Sequence, residues 1–408
     1  MAFWNNWRSD RPTKRVAVDE SLVDVAGRIR VANPRILFNG NLSLGKSALL
    51  WDEIVYGTGT STFVSSDICV NLAVATTGDY VIRQTRSSFN YQADKPLRAD
   101  MTGICPKATG VIARMGPFRG YLRDTYEPYD GLFLECNNGV AYLCECKGGN
   151  ITRVPQSEWN CDKLDGTGPS GQTIDFSKML LMAVEYEWLG IGNVRWSFMM
   201  DGTYVTAHVS RHANLYATTY IRCATLPLRY EIRSTGGSAT MRQQCCSMTA
   251  DGGEGNFGIT GCVDNDGNQI SIAVGVKRPI VLARINPLYP EHAVEPVGIY
   301  LINSAANTKF RWALVWNPTV VGTPNWVDFP SSAVQTWTGT GAETVSAEGL
   351  VMDAGYADSS LRTASSSPRT SMQCGVTCSG YSDIIGLFVE STSGTCLISG
   401  GIQMRQLL

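Results

Sequence analysis

Val194-Arg195-Trp196-Ser197-Phe198-Met199-Met200 and Thr203-Tyr204-Val205-Thr206-Ala207-His208 flank the dipeptide Asp201-Gly202. Asp-Gly between two alternating runs is a strong hairpin signal, because a type I′ turn needs φ > 0 at both central residues. A two-residue loop fixes the pairing. Met200 then faces Thr203, Phe198 faces Val205 and Trp196 faces Ala207, and these six residues form an apolar face. Arg195, Ser197, Met199, Tyr204, Thr206 and His208 form the other, mixed face. Period-two alternation of this kind belongs to a strand with one face in a core.

The same pattern extends outward. Strands are expected at Tyr80–Arg86, Gly131–Glu135, Ala141–Cys146, Met179–Trp188, Leu226–Ile232 and Met241–Met248. After the glycine-rich stretch Asp251–Gly258 they resume at Gln269–Val276, Ile280–Arg284, Val297–Ile302, Arg311–Trp316, Ser346–Met352 and Ile384–Glu390. Helical periodicity over three turns is missing, and many short strands separated by turns imply sandwiches. The expected fold is all-β. A jelly-roll or concanavalin-like β-sandwich (36–252) is followed, after a linker (253–266), by a second, smaller β-sandwich (267–408). An extended basic arm (1–35) precedes both, and Ala354–Arg369 is read as a polar, serine-rich loop.

Composition narrows the function. Charged residues are 17% of the chain, against roughly 25% in ordinary globular proteins. The basic residues divide into 25 Arg and 9 Lys, and there are 10 Trp. Interface cores are depleted in Lys and enriched in Arg and aromatics, so the chain is expected to spend surface against neighbours. A net charge of −2 gives no reason to expect nucleic-acid binding. No apolar run of ~18 residues suggests a membrane helix. Trp4, Trp7, Arg8, Arg11, Lys14 and Arg15 occupy the place of a signal peptide's apolar region, so export by that route is not expected. Trp4, Trp7, Arg8, Arg11 and Arg15 are instead the candidate assembly contacts, on an arm that locks into neighbouring subunits. Thirteen cysteines cannot all pair within one chain, and none forms C-x-x-C; they read as free, mostly buried thiols.

Four motifs could carry chemistry. Gly40-Asn41-Leu42-Ser43-Leu44-Gly45-Lys46-Ser47 satisfies the phosphate-loop pattern. Its candidate helix would end at Gly57-Thr58-Gly59-Thr60 after about two turns, too short to aim its N-terminus at a phosphate. Glu185 and Glu187 share a strand face at the spacing of a glycosidase pair, but no third acid follows. His208 and His212 would share a face only on a helix, whereas the hairpin places His208 on a strand opposite Arg195. Asp264-Asn265-Asp266-Gly267-Asn268 hints at a calcium loop, yet its glycine is misplaced and position twelve is Gly275. The expectation is no catalytic residue, no cofactor and no metal.

A longer signature follows. Glu158-Trp159-Asn160-Cys161-Asp162-Lys163-Leu164-Asp165-Gly166-Thr167-Gly168-Pro169-Ser170-Gly171 precedes Glu187-Trp188-Leu189-Gly190-Ile191-Gly192-Asn193-Val194-Arg195. Leu226-Pro227-Leu228-Arg229-Tyr230-Glu231-Ile232 and Cys245-Cys246-Ser247 come next, with Arg83-Gln84-Thr85-Arg86 and Tyr91-Gln92 upstream. Together these resemble a family of virion-associated structural proteins of tailed bacteriophages, with similar sequences in some large DNA viruses. The resemblance is strong over residues 78–252 and weak over 270–356, where Asn317-Pro318-Thr319 and Gly355-Tyr356 carry it. Trp159, Asp162, Asp165 and Gly168 are the candidate scaffold loop, a turn series that needs glycine's backbone freedom.

The resemblance implies a non-enzymatic virion subunit assembled in the host cytoplasm, as capsid decoration or cement, or as part of a fibre or baseplate. Its partners would be copies of itself, trimers among the options, and other virion proteins. The alternatives are a tail adhesin binding host-surface glycan and a glycan depolymerase.

Overall fold

The computed structural model describes residues 23–25, 27–30, 33–93, 95–120, 127–252, 258–359, 363–366 and 373–407. Trp4, Trp7, Arg8, Arg11 and Arg15 lie outside the described residues. Among those described no α-helix forms, and the strands build an all-β protein of two sandwiches.

The first sandwich is jelly-roll-like. Its eight-stranded sheet runs Thr203–Arg211, Asn193–Met200, Leu180–Tyr186, Leu97–Ile104, Ala239–Ala250, Cys69–Val74, Thr60–Val64, with Arg35–Gly40 also paired to Ala239–Ala250. The seven-stranded sheet runs Asn150–Pro155, Val140–Lys147, Pro128–Asn137, Val111–Gly120, Leu228–Ser234, Tyr80–Thr85, Trp51–Tyr56. Leu97–Ile104 shows the governing pattern: Leu97, Ala99 and Met101 are buried while Arg98, Asp100 and Thr102 face outward. Facing inner positions such as Val184, Trp196 and Phe198 on one sheet and Leu132, Leu134 and Ile232 on the other fill a single core. Fully burying each such large side chain contributes about 1.5–3 kcal/mol.

The second sandwich has a six-stranded sheet centred on Lys277–Ile285, Ile384–Ser393 and Lys309–Trp316. Its five-stranded sheet is centred on Cys396–Leu407 and Ala293–Asn303. Contacts lock it to the first sandwich. Cys378 donates its backbone N–H to Asp52 Oδ2 at 2.8 Å, Arg119 Nη1 donates to Pro290 O at 2.6 Å, and Arg86 lies over the Trp316 ring at 4.7 Å.

Several expectations change. Gly258–Asp264, inside the stretch read as a linker, is a strand paired with Cys396–Leu407. Leu350–Asp358 and Thr363–Ser366 are strands where a loop from Ala354 to Arg369 was expected, because the six- and five-stranded sheets supply ladder partners that local composition does not reveal. The described part of the arm packs on its own chain: Val23 and Ile29 form a bridge, and Val25 donates its N–H to Glu185 Oε1 at 2.7 Å. The hairpin closes at Asp201-Gly202 with φ of 47° and 82°, and Met200 faces Thr203 and Phe198 faces Val205. Its register then slips. Trp196 faces His208 and Arg195 faces Val209, leaving Ala207 as the extra residue of a β-bulge.

Candidate functional site

The bulge has a purpose visible in its hydrogen bonds. The free carbonyl of Ala207 accepts the backbone N–H groups of Cys161 (3.1 Å) and Asp162 (3.0 Å). Asn160 continues the stitching: its N–H donates to His208 Nδ1 (3.2 Å), its Nδ2 donates to Val209 O, and its Oδ1 accepts the Val209 N–H (both 2.9 Å). A loop thereby closes the edge of the sheet. Trp159 anchors it by stacking on Phe198, centroids 5.6 Å apart and planes at 11°. Asp162 is buried and accepts the N–H groups of Leu164 (2.8 Å) and Ser170 (2.7 Å). Burial works to raise its pKa, but these hydrogen bonds outweigh it and hold the carboxyl below its ordinary value. Gly168 must be glycine, since a Cβ there would meet Asp162 Oδ1 at 2.1 Å. Asp165 caps a smaller turn, accepting from the Thr167 N–H and hydroxyl at 2.9 and 2.6 Å.

Beside this loop the edge strands of the two sheets, Asn150–Pro155 and Thr203–Arg211, leave a cleft of about 340 Å³. Glu145, Trp196, His208, His212, Arg211 and Tyr216 are among the residues that line it. Because the slip at Ala207 pairs His208 with Trp196, both face the cleft; the even spacing expected from the turn would have put His208 on the opposite face. His212 follows at the end of the same strand. It donates Nδ1–H to Gly192 O (2.6 Å), turns Nε2 to Glu145 Oε2 (3.0 Å) and stacks on Tyr220 at 4.1 Å. The two histidines thus share a cleft on strand geometry, without a helix.

Their charge states differ. Burial lowers the pKa of His208, keeping it neutral, and its acceptor Nδ1 places the ring proton on Nε2. Burial also works against protonation of His212, but the hydrogen bond and charge of Glu145 outweigh it and its pKa stands above the ordinary value. Two groups remain open: Trp196 Nε1–H and Glu145 Oε1 are buried and have no hydrogen-bond partner among the described residues. Glu145 was not singled out from sequence. Its signal was its place on the inward face of Val140–Lys147, in step with Ala141 and Leu143.

The other motifs are absorbed by the fold. Gly40–Ser47 joins two antiparallel-sheet strands, Arg35–Gly40 and Trp51–Tyr56, through turns, and no helix follows it. Lys46 Nζ donates to Glu53 Oε1 (2.6 Å) and Ser61 O (3.0 Å), while buried Arg83 holds the Lys46 carbonyl at 2.7 Å. Glu185 and Glu187 are separated by the end of their strand at Tyr186. Glu185 faces outward beneath the chain's own N-terminal segment, with Arg30 at 2.6 Å and Arg195 at 3.6 Å. Asp264–Asn268 is a turn closed by its own groups: Asp264 Oδ1 accepts the Asp266 N–H at 2.8 Å, and Tyr300 donates its hydroxyl to Asp264 Oδ2 at 2.7 Å. All thirteen cysteines are free thiols. Cys374 and Cys378 point their sulfurs at different oxygens, Asp383 O and Asp52 Oδ2, each at 2.9 Å. Among the described residues no three metal-ligating side chains converge, and no helix is long and apolar enough to cross a membrane.

No family model and no curated protein matches the chain. Solved structures do. A legume lectin-like domain from Entamoeba histolytica is 11% identical with a TM-score of 0.32, the match covering 53% of this chain and 98% of that one. The exoplasmic/lumenal domain of VIP36 is 10% identical with a TM-score of 0.33, covering 49% and 82%. A Bacillus licheniformis β-glucanase is 9% identical with a TM-score of 0.33, covering 54% and 98%. At this level of likeness nothing follows about site or ligand.

Proposed function

We propose that the protein is a non-enzymatic structural subunit of a virus particle of the tailed-phage kind. It decorates or cements the capsid, or builds a fibre or baseplate, and is held by contacts between copies of itself and with other virion proteins. The observation that carries this reading is an apolar turn at the edge of the first sandwich. Leu44 is 90% exposed there, and Leu49 and Leu50 follow it on the same loop, also exposed, with Ile36 exposed on the adjoining strand. Apolar side chains gathered on one surface mark a place where another protein sits. The charge economy supports it as well: outward carboxylates such as Glu185 and Glu135 are engaged by arginines of this chain and so are not available to an external substrate.

Mass spectrometry of purified particles, with copy-number estimation, tests the placement. Hundreds of copies mean capsid decoration; six to a few dozen mean tail or fibre. Light scattering of the full chain tests the contact. Leu44→Asp combined with Leu49→Asp should dissociate the oligomer while circular dichroism stays unchanged. A chain that is monomeric at high concentration and missing from particles would end the proposal.

A further inference from the structure

The cleft between the two edge strands of the first sandwich contains a donor and an acceptor that the fold leaves unused. Trp196 is fully buried, its ring built into the core, yet its Nε1–H finds no acceptor. Glu145 is fixed through Oε2 by His212, while its buried Oε1 finds no donor. Leaving a buried polar group unsatisfied costs about 1–3 kcal/mol. Two such groups, one of each sign, line one cleft. From this complementarity we infer that the cleft binds a neutral saccharide unit, whose hydroxyls donate to Glu145 Oε1 and accept from Trp196 Nε1–H.

Other ligand classes fit less well. An apolar ligand would leave both groups unsatisfied. An anion would meet the Glu145 carboxylate, and a simple cation offers nothing to the Trp196 N–H. A sugar hydroxyl is donor and acceptor at once, and two on neighbouring ring carbons can serve both groups. A single trapped water could do so too, but a cleft of about 340 Å³ is far larger than one water needs and falls in the range of small-molecule sites. Tyr216, 53% exposed at the rim, supplies an aromatic face for the apolar side of a sugar ring. Asn160 and His208, held to each other, make the polar wall beside it.

This inference is independent of the subunit reading: a variant that loses saccharide binding should still enter particles. The test is saturation-transfer NMR and calorimetry of the full chain with glucose, galactose, mannose, N-acetylglucosamine, maltose, lactose and cellobiose, and with sialic acid as the anionic control. At least one neutral sugar should bind saturably and sialic acid should not. Trp196→Phe keeps a ring in the core but removes the N–H, and Glu145→Gln keeps an oxygen for His212 but turns the free acceptor into a donor. Each should weaken binding about tenfold. Tyr216→Ala, at an exposed position, should also weaken binding without touching the core. Saturable binding by none of the neutral sugars, or unchanged affinity in all three variants with native-like melting curves, would overturn the assignment.

Discussion

Arg30 Nη2 closes on Glu185 Oε1 at 2.6 Å, bridging residues 155 positions apart. The same carboxylate oxygen accepts the Val25 N–H, and Arg30 reaches on to Asp251 at 2.8 Å. Arg195 reinforces the strap by donating to the carbonyls of Val23 (3.1 Å) and Asp24 (2.9 Å). Burial raises the Glu185 pKa even against the pull of Arg30 and Arg195, so its charge depends on keeping these partners. The carboxylate that reads from sequence as half of a hydrolytic pair is a fastening point for the N-terminal segment.

Removing that fastening has a measurable cost. Arg30→Ala should destabilise the first sandwich by roughly 3 kcal/mol, the lower end of the range for a buried pair that loses one member. It should also open the segment before residue 30 to limited proteolysis. Adding Glu185→Gln should recover part of the loss, because the stranded charge is then gone. Urea denaturation of the single and double variants decides the matter, and strictly additive losses would refute the pairing.

The loop around Asp162 makes a second prediction. Asp162→Ala strips two buried backbone N–H groups of their acceptor and should cost about 2–3 kcal/mol. Gly168→Ala should reach a similar value by expelling the same carboxylate. In a sandwich of this size that is a fall in Tm of several degrees. Equal melting temperatures for wild type and both variants would show that the loop does not depend on Asp162.

Lys46 provides a negative control with a sharp outcome. Magnesium ATP should leave the melting temperature unchanged, as Lys46 is engaged with Glu53 and Ser61 and no helix dipole faces the turn. Lys46→Met should alter stability by less than about 1 kcal/mol, the usual worth of a partly exposed pair. A nucleotide-dependent thermal shift abolished by that substitution would revive phosphate binding.

The junction of the sandwiches should respond to acid. Burial pushes the Asp383 carboxyl up to about 6, against the Asn317 hydrogen bond and the nearby Arg86. A carboxyl whose folded pKa lies above its unfolded value contributes stability that is full below the unfolded pKa and lost as pH rises through the folded one. Asp383→Asn should therefore gain on wild type between about pH 5 and pH 7. Paired melting curves across that window test this, and a constant difference would contradict it.

How much was legible differs by element. The hairpin turn, with Met200 opposite Thr203 and Phe198 opposite Val205, followed from Asp201-Gly202 alone. Val111–Gly120 was missed because Gly116 and Pro117 argue locally against a strand; the ladder to Leu228–Ser234 overrides them. Gly116 is there because a Cβ would meet Leu132 O at 2.1 Å. The cleft was hidden by one residue: the bulge at Ala207 depends on a loop some 45 positions earlier in the chain, which no window around His208 contains.

By itself the sequence determined the class of this protein, because alternation and turn chemistry are local and leave an antiparallel sandwich as the way to bury both sets of apolar faces. Only the tertiary structure decided which polar groups are consumed and which are left open. Pairing Arg30 with Glu185, or leaving Trp196 and Glu145 unsatisfied in one cleft, is a matter of distances between residues far apart in the chain, set by strand register and one bulge.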